Sequence, residues 1–295
     1  MASRVPLGDG TSMPIVGFGT YQIKVADVGA PVKLALEAGY VHVDTAEGYN
    51  NEEGVAAALR DCGREIYVTT KLWPGNPKWN QTPKTYETTV ASCKRSVEKL
   101  GRSPDLYLIH GPFSGGRDER LAQWRACCDC KKDGLVKSIG VSNFGVRHLE
   151  EIEEAGLERP AANQLEIHPH CQKRDLLAYM EGKNIAAIAY SSLMPLSNWR
   201  EGQQSAKADR GSDEVIAGAA AALGVSEAQV LLRWALQKGY AILPKSMSES
   251  RIRANVDLFG FEIDAATMDR LDALDRNDAR AFGNPKAPYD PTTAP

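Results

Sequence analysis

The length and charge of the chain exclude several classes of protein before any motif is considered. Its 295 residues could form two average domains or one α/β barrel, and 35 basic against 38 acidic residues give a net charge of −3. This balance argues against a protein that binds nucleic acid by neutralising phosphates. With 43% hydrophobic and 25% charged residues, the composition is that of a globular protein with enough apolar surface for a core.

No targeting or membrane segment is recognisable. The N-terminal MASRVPLGDG lacks an apolar h-region and a cleavage site, and the apolar stretch 215–225 is far shorter than the ~20 residues needed to cross a bilayer. The six cysteines have no regular spacing, which is typical of reduced thiols. Cys127, Cys128 and Cys130 lie in a predicted helix without a CxxC spacing, so we interpret them as packing residues. We expect a cytoplasmic protein that binds neither nucleic acid nor membrane.

A repeated unit runs along the chain, in which a helix-like segment ends at a glycine and a short run of β-formers follows. Glycine just past a helix end adopts the left-handed conformation without steric cost. The strands are almost wholly apolar, which is typical of parallel strands covered by helices. The seven junctions lie at Gly39, Gly63, Gly101, Gly134, Gly156, Gly182 and Gly239.

These repeats predict a (β/α)8 barrel. A strand within 14–20 precedes the first helix and raises the count to eight, and eight parallel strands in about 250 residues fit that barrel. An open doubly wound sheet is the alternative, but Gly17-Phe18-Gly19 does not continue into a GxGxxG fingerprint. Residues 4–12 contain Asp9-Gly10 between short β-like runs, which predicts a hairpin plugging the bottom of the barrel.

The interval between the last two junctions is about twice as long as the others. It predicts two extra helices, at 212–223 and 226–238, after a polar loop at 197–211 that would lie over the barrel mouth. The proline-rich tail, 276–295, is expected to be irregular. We therefore predict one barrel domain over residues 1–295.

Polar side chains stand where such a barrel has its active site, at the carboxyl ends of the strands. Lys, His and Tyr directly after apolar runs are not what turns alone require, so these positions indicate a site. They are Thr20, Tyr21, Asp44, Lys71, His110, Ser142, Asn143, Gln164, Glu166, His168, Tyr190, Ser191, Lys245 and Ser246.

Four residues in this region suggest proton transfer. Asp44 and Lys71 end neighbouring strands, and an ion pair would keep both charges in a closed mouth. Tyr49 follows five residues after Asp44, and a nearby ammonium favours the phenolate, which predicts a lowered pKa for this phenol. We interpret Tyr49 as a general acid supported by Lys71 and Asp44, with His110 as a second donor to a substrate oxygen.

At this point the chain resembles the aldo-keto reductase superfamily. Seven segments in order carry the resemblance: VDTAEGYNNE, VTTKLWP, DLYLIHGP, SIGVSNF, NQLEIHP, AYSSL and LPKSMSESRIRAN. The resemblance implies an NADPH-dependent oxidoreductase that reduces aldehydes or ketones, with a catalytic tetrad of Asp44, Tyr49, Lys71 and His110. It also implies NADPH or NADP+ lying extended across the barrel mouth, with NADH as a weaker cofactor, a small-molecule carbonyl substrate and no metal. We expect a monomer or weak oligomer.

The same resemblance assigns the cofactor contacts. Tyr190 would stack on the nicotinamide, whose carboxamide would bind Ser142, Asn143 and Gln164. A cationic pair with a hydroxyl at a strand end also suits a 2′-phosphate by its chemistry alone. Ser191, Ser192 and Leu193 would lie along the pyrophosphate. Lys245, Ser246 and Arg251 would bind the 2′-phosphate, and Asn255 would contact the adenine. The remaining expected cofactor contacts are Thr20, Tyr21 and Asp44.

The chain departs from the family pattern at two positions. Ala254 stands where many members have an acidic residue that contacts adenine, and Gly111 stands where many have an aromatic residue that narrows the substrate pocket. The expected substrate wall consists of Tyr21, Trp73, Trp79, His110 and Phe113.

Three other functions remain open from the sequence. His168-Pro-His170 resembles a metal-binding pair of a barrel hydrolase. Lys71 could form a Schiff base, as in barrel aldolases. A nucleotide-binding regulatory module with negligible turnover could keep the same fold.

Overall fold

The computed structural model describes residues 3–60, 62–196, 213–284, 287–288 and 290–293. It opens with an antiparallel hairpin of β1 (Arg4–Pro6) and β2 (Ser12–Pro14). Asp9 orders the turn, since its carboxylate accepts from the main-chain N and the hydroxyl of Thr11 at 3.1 and 2.7 Å. Leu7 and Met13 are buried against barrel residues that include Leu106 and Ile188. The predicted hairpin, plugging one end of the barrel, is confirmed.

Eight parallel strands follow and curl into a barrel. They pair strictly in chain order, each with the next. The barrel closes where Val16 bridges Ile242 in parallel, with Gly17 N donating to Ile242 O at 2.9 Å. The (β/α)8 prediction is therefore confirmed. The strands are β3 (Phe18–Gly19), β4 (His42–Asp44), β5 (Tyr67–Leu72), β6 (Leu106–Ile109), β7 (Ser138–Ser142), β8 (Ala162–Glu166), β9 (Ala186–Tyr190) and β10 (Ala241–Ile242).

Helices cover the outer face of the strands, and the main core lies between the two layers. The helices are α1 (Gly29–Glu37), α2 (Glu52–Leu59), α3 (Tyr86–Leu100), α4 (Arg117–Lys132), α5 (Val146–Glu154), α6 (Arg174–Gly182), α7 (Glu214–Leu223), α8 (Glu227–Gln237), α9 (Glu249–Ala254) and α10 (Ala265–Asp272). The two extra helices that the sequence predicts are α7 and α8, which both lie between β9 and β10.

Side-chain caps explain where several of these helices begin. Ser226 Oγ accepts from Gln229 N at 3.2 Å, and the Gln229 side chain accepts in return from Ser226 N, which is a capping box. Asp264 Oδ1 accepts from Thr267 N at 2.8 Å before α10. Each contact satisfies a main-chain donor that the first turn of a helix leaves free.

Six of the seven predicted glycine junctions have positive φ: Gly39, Gly63, Gly101, Gly134, Gly156 and Gly239. The exception is Gly182, which is the last residue of α6. Asn184 takes the left-handed conformation there instead, with φ 53°. Asparagine tolerates this region better than most residues, so α6 ends at its glycine and the chain turns two residues later, at Asn184.

The predicted polar loop at 197–211 lies outside the described residues. In the tail, two short strands, β11 (Gly283–Asn284) and β12 (Ala287–Pro288), pair antiparallel, and a 3-10 helix covers Pro291–Thr293. All six cysteines lie within the described residues and are free thiols.

Among the described helices, none is by itself long and apolar enough to cross a membrane. Only α7 and α8 together reach that length and apolarity, and they are bent by 92° at the break between them.

Candidate active site

The four residues predicted to transfer a proton lie at the carboxyl ends of three neighbouring strands. Asp44 ends β4, Lys71 is the last but one residue of β5, and His110 directly follows β6. Tyr49 ends a short 3-10 helix between β4 and α2. The structure therefore brings these side chains to one edge of the sheet, where parallel strands place their active sites.

The ammonium of Lys71 is at the centre of this cluster. Its Nζ donates to Oδ1 of Asp44 at 2.5 Å and to the main-chain O of Thr45 at 2.8 Å. The same Nζ lies 3.4 Å from the phenol oxygen of Tyr49, and His110 Nε2 lies 3.5 Å from that oxygen on another side. The phenol oxygen thus has an ammonium and an imidazole as neighbours.

Burial and pairing act in opposite directions on the Asp44–Lys71 ion pair. Burial raises the pKa of Asp44 and lowers the pKa of Lys71, and the attraction between the two opposes both effects. Gln164 Nε2 also donates to Oδ2 of Asp44 at 2.9 Å, which favours the carboxylate. Each ion depends on the other, because a buried charge without a partner is costly.

The pKa of Tyr49 lies well above its usual value, mainly because the side chain is buried and then because of the Asp44 carboxylate. This direction is opposite to the lowered pKa expected from the ammonium of Lys71 alone. Asp44 compensates the charge of Lys71, so the ammonium no longer outweighs burial. The phenol is protonated at neutral pH, which is the form a proton donor needs.

His110 is uncharged at neutral pH. Burial, and then the nearby charge of Lys71, hold the pKa of this imidazole well below its usual value. Its Nδ1 is buried and has no hydrogen-bond partner among the described residues. In the tautomer that carries hydrogen on Nε2, the ring can donate towards the phenol or towards a substrate oxygen.

The cluster opens into a cavity of about 1230 Å³ with an aromatic wall. Trp73 and Trp79 stack with ring centroids 5.7 Å apart, and Trp73 meets His110 edge-on at 5.4 Å. Tyr21 packs against Tyr49 at 5.0 Å. These rings give the site a large apolar surface next to the proton donor.

Phe113 occupies the space that Gly111 leaves. A Cβ placed on Gly111 would lie 2.3 Å from the ring of Phe113, so this ring covers the glycine. Phe113 also contacts Trp73, with ring centroids 5.7 Å apart. Phe113 therefore packs behind Trp73 and Trp79, which line the cavity, but unlike the other four residues predicted for the substrate wall it is not itself a lining residue.

The residues predicted to bind a nicotinamide lie side by side along the cavity. Asn143 has φ 62°, and its Oδ1 accepts from the hydroxyl of Tyr190 at 2.7 Å. Ser142 Oγ donates to the main-chain O of Gln164 at 2.8 Å. All four line the cavity, and their mutual hydrogen bonds hold them in place.

The segment expected to lie along a pyrophosphate also lines the cavity. Ser191 has a left-handed backbone, φ 53°, which is uncommon for a residue other than glycine. Ser192 Oγ is buried without a hydrogen-bond partner among the described residues. A buried hydroxyl left unpaired is costly, so its position favours contact with a ligand atom.

Lys245 and Arg251 line the same cavity, and neither forms an ion pair in the described part of the chain. Partial burial lowers the pKa of Lys245. Three other predicted contacts do not line the cavity: Thr20, which donates to Asp44 O at 3.0 Å, Ser246 and Asn255.

Several residues that line the cavity were missed from the sequence: Gln22, Asn50, Gln81, Met194, Ala281 and Phe282. Phe282 contacts Phe113 at 5.4 Å and Tyr190 at 6.5 Å between ring centroids. It comes from the tail, where no periodicity indicates which residue returns to the barrel mouth.

The histidine pair considered as a metal site is used otherwise. His168 Nε2 lies 3.2 Å from Glu166, and His170 contacts Asp213 and Arg276 at 3.3 and 2.7 Å. No cluster of three potential metal ligands occurs among the described residues.

A closed (β/α)8 barrel whose buried Tyr–Lys–Asp–His cluster opens into a cavity of about 1230 Å³ is typical of a barrel oxidoreductase. The model of the aldo/keto reductase family matches residues 15–276. The chain belongs to the aldo-keto reductase family.

Its relatives are similar over almost their whole length. Glyoxal reductase of Bacillus subtilis is 38% identical over 290 residues, covering 97% of each chain. Human aldo-keto reductase family 1 member C2 is 36% identical over 305 residues, covering 92% of this chain and 91% of the relative. Among solved structures, apo Gox0644 has a TM-score of 0.85 at 36% identity, covering 100% of this chain and 99% of that one. An aldo-keto reductase of Bombyx mori solved in complex with NADP has a TM-score of 0.83 at 31% identity, covering 94% of each chain.

Proposed function

We propose that this protein is an NADPH-dependent reductase that converts aldehyde or ketone carbonyls into alcohols, with Tyr49 as the proton donor. One observation carries the proposal. A protonated phenol faces a large aromatic cavity with an ammonium 3.4 Å and an imidazole 3.5 Å from its oxygen. That arrangement suits proton donation to an oxygen on which negative charge develops.

Each neighbour of the phenol has a separate role in this proposal. The Tyr49 hydroxyl gives its proton to the carbonyl oxygen, and the neutral imidazole of His110 donates a hydrogen bond to the same oxygen. Once the proton has left, Lys71 stabilises the phenolate through a charge-assisted hydrogen bond. Asp44 keeps Lys71 charged, so it supports the step without touching the substrate.

The cavity provides the groups that NADPH requires. When bound, NADPH supplies the hydride that adds to the carbonyl carbon. The hydroxyl of Ser192, which has no hydrogen-bond partner among the described residues, would donate to an oxygen of the pyrophosphate, and the ring of Tyr190, which lines the cavity, would stack on the nicotinamide. Ser142, Asn143 and Gln164 would bind its carboxamide. The Bombyx mori relative binds NADP, and a Gox0644 variant has been solved with NADPH.

Lys245 and Arg251 favour NADPH over NADH. Both side chains line the cavity without an ion pair in the described residues, so their charges are available to a dianionic 2′-phosphate. Ala254 offers no carboxylate to repel that phosphate, and it also offers none to bind the adenine amine.

The experiment is NADPH oxidation followed by absorbance with a panel of aromatic and aliphatic aldehydes, sugars, keto esters and steroids. Glyoxal belongs in the panel because a relative is named glyoxal reductase. We expect turnover by the wild type, and a loss of about 10²- to 10⁴-fold in Tyr49→Phe with unchanged NADPH binding. NADPH binding without turnover of any carbonyl would refute the reductase and favour the regulatory module.

A further inference from the structure

We propose that Glu166 is a positioning residue that sets carbonyl specificity by anchoring the C-terminal tail across the barrel mouth. The proposal rests on the reductase function proposed above. Glu166 is the last residue of β8, and its side chain is 3% exposed. A carboxylate buried to this degree requires several hydrogen-bond donors.

The donors come from the tail. The main-chain N of Arg280 donates to both carboxylate oxygens of Glu166, at 2.9 and 3.0 Å, and the main-chain N of Ala281 donates to Oε2 at 2.8 Å. His168 Nε2 lies 3.2 Å from Oε1. One carboxylate therefore fixes two consecutive peptide groups of a segment that otherwise has little regular structure.

The next residue, Phe282, enters the cavity. Its ring meets Phe113 at 5.4 Å and Tyr190 at 6.5 Å. Phe113 in turn contacts Trp73, which contacts His110 at 5.4 Å. The main-chain O of His170 accepts from the tail at Arg276 and Asp278, and Glu166 holds the two amides directly before the ring. Glu166 therefore constrains where the Phe282 ring lies relative to this wall.

Strand β8 places the side chain of Glu166 on the face of the strand that also carries Gln164, next to the catalytic cluster. Gln164 and Glu166 are two residues apart in β8 and share a face. Gln164 reaches Asp44 in the tetrad at 2.9 Å, whereas Glu166, one step nearer the mouth, reaches the tail. A more distant anchor, Lys173 with Asp290 at 2.5 Å, holds the tail further on. Glu166, in contrast, holds the tail directly beside the cavity, since it accepts from the main-chain N of Ala281, a lining residue.

The test compares a bulky substrate, naphthaldehyde, with a small one, propanal. In Glu166→Gln we expect the KM for naphthaldehyde to rise about 5- to 10-fold, because the displaced Phe282 no longer completes the wall. This factor corresponds to the loss of one ordered aromatic contact. The KM for propanal, the kcat with both substrates and the Kd for NADPH should stay within about twofold. Phe282→Ala should give the same shift, and the double variant should add little to either, since both remove one contact.

Two further measurements keep the proposal separate from protein stability and from the proposed function. Hydrogen exchange of the 280 and 281 amides should accelerate in Glu166→Gln without any turnover being needed. Asp105→Asn is the matched control, because Asp105 is also buried and accepts from a main-chain N, that of Val68 at 2.8 Å, at the opposite end of the barrel. It should lower stability without changing the KM for either substrate.

Three results would overturn the proposal. They are unchanged amide exchange, faster exchange with an unchanged KM for naphthaldehyde, and fully additive effects of Glu166→Gln and Phe282→Ala. If Glu166→Gln does not fold, Ala281→Pro removes one donor while leaving Glu166 intact, and the same difference between the two substrates is expected. A wild type that reduces no carbonyl would refute the reductase, whereas accelerated tail exchange would still establish the anchor.

Discussion

The carboxylate of Asp44 and the ammonium of Lys71 join two neighbouring strands through a hydrogen bond of 2.5 Å, and the two side chains are 5% and 0% exposed. Because both side chains are almost fully buried, solvent could not stabilise either charge if the other were removed. The pair therefore contributes to the fold as well as to the chemistry, and the two contributions can be separated by mutation.

Asp44→Asn should destabilise the protein by about 3–5 kcal/mol, because it leaves Lys71 buried without a counter-ion. The loss should appear as a lower midpoint in urea unfolding, together with a large drop in kcat. Adding Lys71→Met to this variant should restore part of the stability and none of the activity, since it removes the stranded charge. A single variant as stable as the wild type would contradict the role of the pair.

The raised pKa of Tyr49 predicts how the two directions of the reaction depend on pH. Because the phenol holds its proton above its usual range, carbonyl reduction should be nearly independent of pH from about 6 to 9. Alcohol oxidation needs the phenolate, so its rate should rise throughout that interval. Steady-state kcat/KM profiles in both directions measure this. A decline of reduction centred below about pH 8 would show that Lys71 outweighs burial once cofactor is bound.

The sequence predicts which strand ends carry the site, and not the balance of forces within it. Asp44, Lys71 and His110 directly terminate apolar strands, and parallel strands in one barrel bring their carboxyl ends together. The direction of the Tyr49 pKa depends first on how deeply the phenol is buried and then on the Asp44 carboxylate, which lies 2.5 Å from the ammonium of Lys71, and no spacing in the sequence encodes burial or a distance.

The tail could not be predicted for a different reason. Residues 276–295 have no helical or strand period, so nothing in their order indicates that Phe282 reaches the pocket. Its placement results from a contact between residues more than a hundred positions apart, Glu166 and Ala281. Long-range contacts of irregular segments are visible only in the folded chain.

Lys245 and Arg251 should determine the choice between the two dinucleotides. Lys245→Ala or Arg251→Ala should raise the KM for NADPH about 10-fold or more and change the KM for NADH less than about twofold. A 10-fold change corresponds to the free energy of one hydrogen bond to a charged group. Arg253→Ala is the matched control, because this neighbouring cation already pairs with Glu249 at 2.9 Å and does not line the cavity. Equal effects on NADPH and NADH would refute the phosphate role.

His42 makes stability depend on pH. Burial lowers the pKa of this imidazole to about 3, while the unfolded chain binds the proton near the usual value. The unfolded state therefore binds more protons between these two values, so the stabilisation is complete above about pH 6.5 and declines as the pH falls, by up to ~1.4 kcal/mol per pH unit. Replacing His42 by Asn should reduce this slope between about pH 6 and 4.5 in urea titrations. An unchanged slope would mean that other groups account for it.

The contact between Gly111 and Phe113 predicts that substitutions at these two positions, behind the aromatic wall of the cavity, are coupled. Gly111→Ala places a Cβ 2.3 Å from the Phe113 ring, so the ring must move away from its place behind Trp73 and Trp79, which line the cavity. We expect a several-fold higher KM for aromatic aldehydes with unchanged NADPH binding, because the wall loses an ordered contact.

Phe113→Ala removes the ring that would clash, so Gly111→Ala should have almost no further effect in that background. The double-mutant cycle on KM measures this coupling directly. Additive effects would mean that Gly111 acts through its own backbone conformation, and Phe113 would then support the aromatic wall independently of it.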